Sequence, residues 1–369
     1  MAKILIVGNP KSPLVRERGL VGQAAGHEIF LYSRHRANIP GVATYSLPAN
    51  IGALPWLFHV FEPSYLTRAI KLVEPDLIHV HFASTGLLSL PLSRFHPLVV
   101  TAMGSDISPK VGYRGWYAPF TQRLLKSADC ITVKSAYMEQ VLQQIGDFAD
   151  KTKRISWGVD LGLFQQNRNT NALRLKLDIP DETLVFLDPR KMRPLYNHHI
   201  LLEAFRDYLN ASSPSAILLL VGFNADQHYM NSLKRSVRTW NLEKSVRFLP
   251  SQGYEEMADL YALADVMISI PQSEGFPQSI YEAWASGLYM ILGDLPHYRQ
   301  ELDDGQTALL VPLGDVQALT DALRWIAEHP EVRKIAKDAG RARAKSIADK
   351  TEQTIKMNRI YASLLAKTQ

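Results

Sequence analysis

The chain carries, at residues 266–287, the sequence VMISIPQSEGFPQSIYEAWASG. Its first part, Val266–Ile270, is an apolar run with β-branched residues, which predicts a buried strand. The glycine and proline that follow predict a turn, and the residues after them predict a short helix that Gly287 can end. The stretch therefore predicts a strand–loop–helix unit, with Glu274 in the loop at the carboxyl end of the strand and Glu282 in the first helical turn.

The same alternation of short apolar runs and helical patterns extends over the chain. Amphipathic stretches such as Ser64–Leu72 separate the runs. This alternation is typical of βαβ units and parallel sheets, so we expect an α/β fold with two domains in tandem. The predicted strands of the two series are Lys3–Val7, His27–Tyr32, Leu77–Phe82, Pro97–Thr101 and Cys130–Lys134, followed by Thr183–Leu187, Ala216–Gly222, Val246–Leu249, Val266–Ile270 and Tyr289–Leu292.

A polar, asparagine-rich segment near residues 158–170 marks the expected seam between the two domains. We therefore predict an N-terminal domain at residues 1–165, a C-terminal domain at residues 166–345 and a last helix at residues 346–369. Because ligands of open parallel sheets bind beyond the carboxyl ends of the strands, a ligand is expected between the two domains.

The composition is that of a soluble globular protein, with 369 residues of which 46% are apolar and 21% are charged. The single cysteine, Cys130, cannot form an internal disulfide, which suits a reducing compartment. The apolar run at the start of the chain is too short for a signal peptide, and no run approaches the roughly 18 apolar residues of a membrane-spanning helix. A cytoplasmic location is therefore expected.

Positive charge is concentrated in the first half of the chain, where residues 1–165 contain 17 lysines and arginines against 11 aspartates and glutamates. The charges are dispersed and no aromatic-interleaved RNA motif accompanies them, so we expect no nucleic-acid partner. Together with Trp56, Leu57, Phe58 and Phe61, the surplus suggests a face that rests peripherally on an anionic membrane. The same apolar side chains can equally well pack in a core.

Two carboxylates of the opening stretch are candidates for ligand binding. Glu282 follows Ser279 at the spacing of a capping box, which is a purely structural alternative. Glu274 has no helix to cap, and a carboxylate beside the free amides of a helix N-terminus suits sugar hydroxyls that lie near a phosphate. Together the two residues indicate a nucleotide-sugar site.

The spacing from Glu274 to Glu282 resembles the E-x7-E motif of the retaining glycosyltransferases of family 4, which have the GT-B fold. That family implies two Rossmann-like domains that face a cleft, with a C-terminal helix that crosses back to the N-terminal domain. Other segments that resemble the family, in the same order, are Pro75–His81, Val100–Asp106, Ser127–Ser135, Ile155–Phe164, Pro189-Arg190 with Leu201–Phe205, Leu219–Gly222 and Val311–Asp315.

The resemblance implies a role for each residue of the donor site. Arg190 would neutralise the diphosphate, Glu274 would contact hydroxyls of the transferred sugar, and Glu282 would bind the ribose. The alternative for Arg190 is an ordinary surface ion pair. Further donor-binding residues implied by the resemblance are Gly275, Phe276, Pro277, Gln278 and Asn197, with the amides of Phe276 and Gln278 as phosphate donors.

The chain departs from the family pattern after Arg190. The family commonly has a Lys-Gly pair where this chain has Tyr196 and Asn197. A second catalytic positive charge is then expected from Arg193 or Lys191, and we favour Arg193. The Arg, Pro and Tyr-Asn pattern resembles a subgroup associated with surface-polysaccharide and lipid-linked glycan assembly.

On the acceptor side, the resemblance implies that His81, Gly104 and Asp106 bind the acceptor. Met103 stands where the family often has a histidine, so no catalytic histidine is expected in that loop. Asp106 can instead close its own loop. His79 and His81 point to one side of a strand, yet the sequence supplies no third ligand and no Asp-x-Asp motif, so no metal is expected.

The resemblance as a whole implies a retaining hexosyltransferase without a cofactor. It would move a hexose-type sugar from a nucleotide diphosphate sugar, UDP before GDP, to a glycan or lipid-linked acceptor by metal-independent front-side displacement. The alternatives are an epimerase or hydrolase of GT-B fold that acts on the nucleotide sugar alone, and a non-catalytic two-domain sugar-binding protein.

Overall fold

The computed structural model describes residues 1–10, 12–35, 39–46, 55–108, 113, 115–165, 167–212, 215–222, 225–302 and 305–367; the side chains of residues 13, 14, 18–21, 55–59 and 212 lie outside this description. The chain divides into two compact units. Unit 1 comprises Met1–Trp157 and Glu352–Gln369, and unit 2 comprises Gly158–Thr351.

Unit 1 is a parallel sheet with helices between its strands. Its strands are β1 (Lys3–Val7), β2 (Glu28–Ser33), β3 (Ala43–Ser46), β4 (Leu77–His81), β5 (Leu98–Thr101), β6 (Cys130–Val133) and β7 (Thr152–Arg154), and its first helices are α1 (Pro13–Ala24), α2 (Pro55–Val73), α3 (Ser89–Leu92), α4 (Tyr117–Ser127) and α5 (Ala136–Ile145). The strand order is β3-β2-β1-β4-β5-β6-β7. Every residue of β4, β5 and β6 is buried, which explains why these strands are mostly apolar in sequence.

Unit 2 repeats the arrangement with six parallel strands in the order β10-β9-β8-β11-β12-β13. The strands are β8 (Leu184–Asp188), β9 (Ala216–Val221), β10 (Val246–Leu249), β11 (Val266–Ser269), β12 (Tyr289–Gly293) and β13 (Ala308–Val311). The helices are α6 (Asn171–Lys176), α7 (His198–Ser212), α8 (Gln227–Thr239), α9 (Tyr254–Leu263), α10 (Gln278–Ser286), α11 (Tyr298–Glu301), α12 (Val316–Glu328) and α13 (Pro330–Ala348).

The last helix, α14 (Lys350–Ala366), contributes to the core of unit 1. Its Met357 and Tyr361 pack in one cluster with Ile4, Ile6 and Cys130. The chain therefore passes through unit 2 before it completes unit 1.

The division between the units lies at 157/158 and 351/352, whereas the sequence placed the boundaries at 165/166 and 345/346. Residues after Trp157 belong to unit 2 because Val159 is fixed there by its backbone. Its N–H donates to the carbonyl of Ala348 at 2.7 Å, and its carbonyl accepts from Lys350 at 3.1 Å. These contacts join residues that are far apart in sequence, so local composition did not reveal them.

The strand order reverses once in each sheet, between β1 and β4 in unit 1 and between β8 and β11 in unit 2. At such a reversal the neighbouring connections leave to opposite faces of the sheet, which opens a crevice at the carboxyl ends of the two strands. None of the described helices is both long and apolar enough to cross a membrane.

Candidate active site

The loops after β8 and β11 meet at the strand reversal of unit 2. The first loop carries Arg190 and the second carries Glu274. The backbone N–H of Gln272 donates to the carbonyl of Leu195 at 2.9 Å, which joins the two loops. The fold thus brings together two residues that are 84 positions apart in the chain.

Arg190 forms a mostly buried ion pair with Glu274. Its Nη2 donates to Oε1 of Glu274, and its Nη1 donates to the hydroxyl of Ser279 at 2.8 Å. The two charged side chains are only 11% and 16% exposed. The guanidinium also lies 4.8 Å from the ring centroid of Tyr196. Arg190 is therefore not part of an ordinary surface ion pair, because its cation is fixed on three sides at the carboxyl edge of the sheet.

The environment keeps Arg190 charged. Burial is the largest influence and acts against the charge, but Glu274 together with Tyr196, Tyr298 and Asp188 outweighs it and raises the pKa of Arg190. Among the described residues, Nε of Arg190, Oε2 of Glu274 and the hydroxyl of Tyr298 are buried without a hydrogen-bond partner. Buried polar atoms nearly always have hydrogen-bond partners in native proteins, so a polar ligand at this edge would supply the partners that these three atoms lack.

Helix α10 begins earlier than the sequence indicated. Its N-cap is Pro277, whose carbonyl accepts from the N–H of Ile280 at 3.2 Å, and no side chain caps the helix. Ser279 lies inside the helix, and its hydroxyl accepts from the guanidinium instead. The capping-box interpretation of Ser279 and Glu282 is wrong, and Glu282 lies two residues further into the helix than predicted.

Glu282 is half-buried and contacts the buried Tyr261 of α9. Burial raises the pKa of Tyr261 well above its usual range, and the charge of Glu282 with a side-chain hydrogen bond raises it further. The carboxylate is thus positioned by a neighbouring helix and not by the start of its own.

The loop from Gly275 to Gln278 presents its backbone at the same edge. The ring of Phe276 is buried, 5.2 Å from the ring of Tyr281, so only the main chain of Phe276 can meet a ligand. Nε2 of Gln278 donates to the carbonyl of Gly158 at 2.6 Å. The carbonyl of Gly275 lies 3.3 Å from Nε2 of His297.

Tyr196 and Asn197 occupy the positions where the family commonly has Lys-Gly. Asn197 has φ 55, the left-handed conformation that glycine adopts most readily. Its Nδ2 donates to the carbonyl of Ile270 at 3.0 Å, and its Oδ1 accepts from Gln272 at 3.1 Å. The predicted donor-binding residue Asn197 therefore has both ends of its side-chain amide engaged within the protein, which gives it a loop-fixing role.

Two further cations, Lys191 and Arg193, lie in the same loop as Arg190. Arg193 is exposed, and Lys191 is half-buried. Burial lowers the pKa of Lys191, and the nearby charges of Arg190 and Arg193 lower it further. All three cations thus belong to one loop, and the assignment of the second charge to Arg193 stays a prediction.

Sequence reasoning missed two residues beside Arg190. Asp188, which ends β8, and His198, which begins α7, are both fully buried. Oδ1 of Asp188 accepts the backbone N–H of Arg190 at 2.8 Å, and its Oδ2 lies 3.6 Å from Nε2 of His198. A carboxylate that ends an otherwise apolar strand directly before Pro-Arg was the available signal.

Burial shifts both groups away from their charged forms. It raises the pKa of Asp188 to about 7, with Arg190 opposing and Glu274 adding to the rise. It lowers the pKa of His198 to about 3, and the charge of Arg190 lowers it further.

In unit 1, the predicted acceptor residue His81 ends β4 at the strand reversal. Its ring stacks on that of His79 at 4.2 Å and on that of Trp157 at 5.5 Å. His79 itself is hydrogen-bonded through both nitrogens, to the hydroxyls of Tyr361 and Thr101 at 2.6 Å each. Over the described parts of the chain, no three His, Cys, Asp or Glu side chains are grouped so that they could hold a metal ion.

Asp106 is fully buried and closes its own loop. Its Oδ1 accepts the N–H of Gly104 at 2.8 Å, its Oδ2 accepts the N–H of Ala83 at 2.6 Å, and both oxygens approach the N–H of Met103. Gly104 has φ 114, which favours glycine. These contacts favour the loop-closing alternative for Asp106 over contact of its side chain with an acceptor.

Comparison with known proteins agrees with this geometry. Residues 19–163 match the family described as Glycosyltransferase Family 4, and residues 169–343 match the family described as Glycosyl transferases group 1. The D-inositol 3-phosphate glycosyltransferase of Saccharomonospora viridis is 27% identical over 334 residues, which cover 83% of this chain and 76% of that protein.

Solved structures share the fold across the whole chain. Sucrose-phosphate synthase from Thermosynechococcus elongatus superposes with a TM-score of 0.82 at 20% identity, with full coverage of both chains. Anabaena HepE in complex with UDP and glucose superposes with a TM-score of 0.81 at 19% identity, over 99% of this chain and 100% of that one. The chain belongs to the glycosyltransferases of GT-B fold, with a family 4 domain followed by a group 1 domain.

Proposed function

We propose that this glycosyltransferase moves a hexose-type sugar from a nucleotide diphosphate sugar, UDP before GDP, to a glycan or lipid-linked acceptor, with retention of the anomeric configuration. The observation that carries the proposal is the buried guanidinium of Arg190, held by Glu274 and Ser279 at the strand reversal of unit 2. The fold is shared with HepE, which was solved in complex with UDP and glucose, and this supports the choice of a UDP-sugar.

The chemistry assigned to Arg190 is stabilisation of the leaving group. The bond between the sugar C1 and the diphosphate oxygen breaks, and the acceptor hydroxyl forms its bond to C1 on the same face. The hydroxyl proton passes to the departing diphosphate, which gains negative charge as it leaves. A fixed guanidinium that stays charged stabilises this transition state more than the ground state. In this scheme Arg190 supplies the positive charge, and no metal or covalent enzyme intermediate takes part.

Glu274 is assigned to the hydroxyls of the transferred sugar and Glu282 to the ribose. In the structure Oε2 of Glu274 has no partner among the described residues, while its Oε1 holds Arg190. One carboxylate can therefore orient the guanidinium and accept from a sugar hydroxyl together. Glu282 follows on α10, where it meets the hydroxyl of Tyr261.

For the acceptor, D-inositol 3-phosphate is the first small molecule to test, because the relatives of this chain are named for it. The surplus of positive charge in residues 1–165 suits an anionic acceptor.

Peripheral contact with an anionic membrane is also part of the proposal. Val60 and Phe61 of α2 are 56% and 48% exposed. The side chains of Trp56, Leu57 and Phe58 lie outside the described residues. Sedimentation with anionic vesicles at low salt tests this contact, and absence of binding would refute the proposed membrane contact.

The donor is tested by thermal shift with UDP, GDP, ADP and their common sugar conjugates. A ligand at 100 times its Kd stabilises by about 2.7 kcal/mol, which is a readily measured shift. We expect a shift with UDP compounds that Arg190→Ala and Glu282→Ala remove. Arg168→Ala is the matched control, since Arg168 also pairs with a carboxylate of unit 2, that of Asp259. No shift with any nucleotide would favour the alternative function, that of a non-catalytic two-domain sugar-binding protein.

Transfer is separated from its alternatives by the product. Release of the nucleotide that depends on the acceptor supports transfer, whereas equal release without acceptor indicates a hydrolase, and a changed donor sugar without release indicates an epimerase. The anomeric coupling in the NMR spectrum of the product reports retention. An adduct of the sugar on Glu274 would contradict front-side displacement.

A further inference from the structure

Asp188 and His198 form a buried pair next to the backbone of Arg190. Both side chains have zero exposure, and Oδ2 of Asp188 lies 3.6 Å from Nε2 of His198. Within the described residues, Oδ2 and both ring nitrogens make no hydrogen bond of ordinary length. Ionising a carboxylate or an imidazole that is shut off from water costs free energy. A buried pair of such groups therefore calls for a structural or functional explanation.

The other carboxylate oxygen connects the pair to the candidate diphosphate site. Oδ1 of Asp188 accepts the backbone N–H of Arg190 at 2.8 Å and so fixes the turn from which the guanidinium extends. The same guanidinium is held at its far end by Glu274. Arg190 is therefore positioned between one carboxylate at its backbone and another at its side chain.

We propose that Asp188 is a positioning residue whose buried carboxyl holds a proton beside neutral His198 when the donor diphosphate is bound. The proposal rests on the proposed function, because it requires that a diphosphate meets Arg190. An incoming diphosphate is an anion, and an ionised Asp188 would repel it and would compete for the guanidinium. A protonated Asp188 still accepts the backbone N–H of Arg190 and can donate toward His198, so it keeps the geometry without the repulsion.

The neighbouring groups agree with one labile proton on Asp188. Arg190 is the cation that favours the ionised carboxylate, while burial and the charge of Glu274 favour the protonated form and bring the pKa of Asp188 to about 7. His198 stays neutral, since burial and then the charges of Arg190 and His199 lower its pKa to about 3, against the backbone groups of Arg193 and Arg190, which act to raise it. The titratable and charged groups that face the pair from the packed elements are Arg190, Tyr196, His199, Tyr229, Tyr261 and Glu274.

Linkage sets the sign of the expected effect. If the bound diphosphate raises the proton affinity of Asp188, donor binding takes up a proton wherever the free protein is ionised. Affinity for the donor is then constant at low pH and decreases above about pH 7, by up to about tenfold per pH unit for one linked proton. An asparagine at position 188 keeps the acceptor for the Arg190 N–H but cannot ionise.

The test is calorimetric titration with UDP-glucose from pH 6 to pH 8.5, with the wild-type protein and with Asp188→Asn. UDP-glucose is the probe because its diphosphate is a diester that does not titrate in this range. We expect proton uptake and weakening affinity above pH 7 for the wild type, and a nearly flat profile without proton uptake for Asp188→Asn. Asp265→Asn is the matched control, since Asp265 is also a carboxylate that accepts a backbone N–H in unit 2, from Val185 at 2.8 Å. It should retain the wild-type profile.

A second measurement reads the proton directly. The infrared difference between wild type and Asp188→Asn at pH 6 should contain the C=O band of a protonated carboxyl, and this band should fade as the pH rises. Absence of the band at pH 6, or the same pH profile of affinity in both proteins, overturns the proposal. Absence of UDP-glucose binding by the wild type at every pH instead overturns the proposed donor, and the role of Asp188 falls with it.

Discussion

At the scale of single residues, the ion pair of Arg190 and Glu274 is held differently from the pairs on the surface. Both of its side chains are mostly buried, whereas in the pair of Asp294 and Arg299 the arginine is 68% exposed. Removal of one partner from a buried pair leaves an uncompensated charge, while an exposed pair is screened by water. The two pairs belong to the same unit, so they can be compared directly.

We expect Glu274→Ala to destabilise the protein by about 3–5 kcal/mol, because Arg190 is then left buried without its carboxylate. Asp294→Ala should change the stability by no more than about 1 kcal/mol. Urea unfolding of both variants measures the difference. Equal, small losses would mean that water reaches the guanidinium, and the interpretation of Arg190 as a pre-positioned buried cation would fail.

Asp188 and His198 are expected to affect acid stability in opposite directions. Folded His198 stays neutral to about pH 3 while the unfolded residue protonates below 6.5, so its contribution is lost as the pH falls between these values. Folded Asp188 holds its proton up to about pH 7 while the unfolded residue ionises above 3.8, so its contribution is complete below 3.8 and is lost as the pH rises to 7.

The two effects nearly cancel in the wild type between about pH 4 and 6.5. Each single variant should therefore reveal the pH dependence of stability that the remaining group causes. Asp188→Asn should lose stability as the pH falls through this range, and His198→Gln should gain it, each by at most about 1.4 kcal/mol per pH unit. Unfolding free energies at pH 4.5, 5.5 and 6.5 test the signs. Parallel profiles for the two variants would show that at least one group is not buried as described.

Substitution of Asp106 distinguishes its loop-closing role from the predicted acceptor-binding role. Asp106→Ala leaves the buried backbone N–H of Ala83 and the partly buried N–H groups of Met103 and Gly104 without their acceptor. An orphaned buried donor costs about 1–3 kcal/mol. We therefore expect a loss of at least about 2 kcal/mol in stability, measured by chemical unfolding. A variant of wild-type stability that binds acceptor poorly would restore the acceptor-binding role.

At the scale of elements, the interior strands could be predicted from sequence, whereas of the four edge strands only β10 was predicted. The interior strands of both sheets are buried on two faces and appear as apolar runs, so the sequence predicted them. The missed strands β3, β7 and β13 lie at sheet edges. In β3 and β7 no residue is fully buried, so their side chains carry little apolar signal. Edge strands depend on a partner strand that local sequence does not reveal.

The site was predictable in the same partial way. Glu274 and Arg190 could be identified because their neighbours form recognisable local patterns, and the fold does bring them together. The capping box failed because a proline two residues before Ser279 begins the helix earlier, which is a competition that spacing alone does not resolve. Asp188 and His198 were missed because their importance arises from burial and mutual distance, which only the folded chain supplies.

Gly158 shows how closely unit 2 packs the segments at its two ends. Its φ is 74, and a Cβ there would lie 2.4 Å from Cα of Lys350. Gly314 has a similar φ of 80 with nothing within 4 Å of such a Cβ. Gly314→Ala should cost about 1–2 kcal/mol from conformation alone. Gly158→Ala should cost clearly more, because backbone atoms must move. Thermal unfolding compares the two variants. Equal losses would mean that the backbone at Gly158 and Lys350 can move apart at little cost in free energy.

At the scale of the whole molecule, each unit is organised around its own cores. The clusters that contain Val80 and Cys130 draw on unit 1, and those that contain Met267 and Phe186 draw on unit 2. Unit 1 is nevertheless completed by α14, which the chain reaches only after unit 2. The stability of unit 1 is therefore expected to depend on residues at the far end of the chain.

Cys130, the single cysteine of the chain, is a natural reporter of that dependence. It is 5% exposed, and burial raises the pKa of its thiol to about 11, so the native protein should react slowly with thiol reagents. Met357 of α14 is fully buried in the same cluster, and Met357→Ala should destabilise unit 1 by about 2–5 kcal/mol. Labelling of Cys130 should then accelerate, because the thiol reacts from opened forms of unit 1.

Met267→Ala is the matched control, since Met267 is equally buried but lies in a core of unit 2. It should lower stability by a similar amount and leave the labelling rate of Cys130 nearly unchanged, because unit 1 keeps all of its own core contacts. Labelling under native conditions with calorimetry of the same samples separates the two responses. Equal acceleration by both variants would show that the units open in a single cooperative step, and an unchanged rate with Met357→Ala would show that α14 does not secure the core around Cys130.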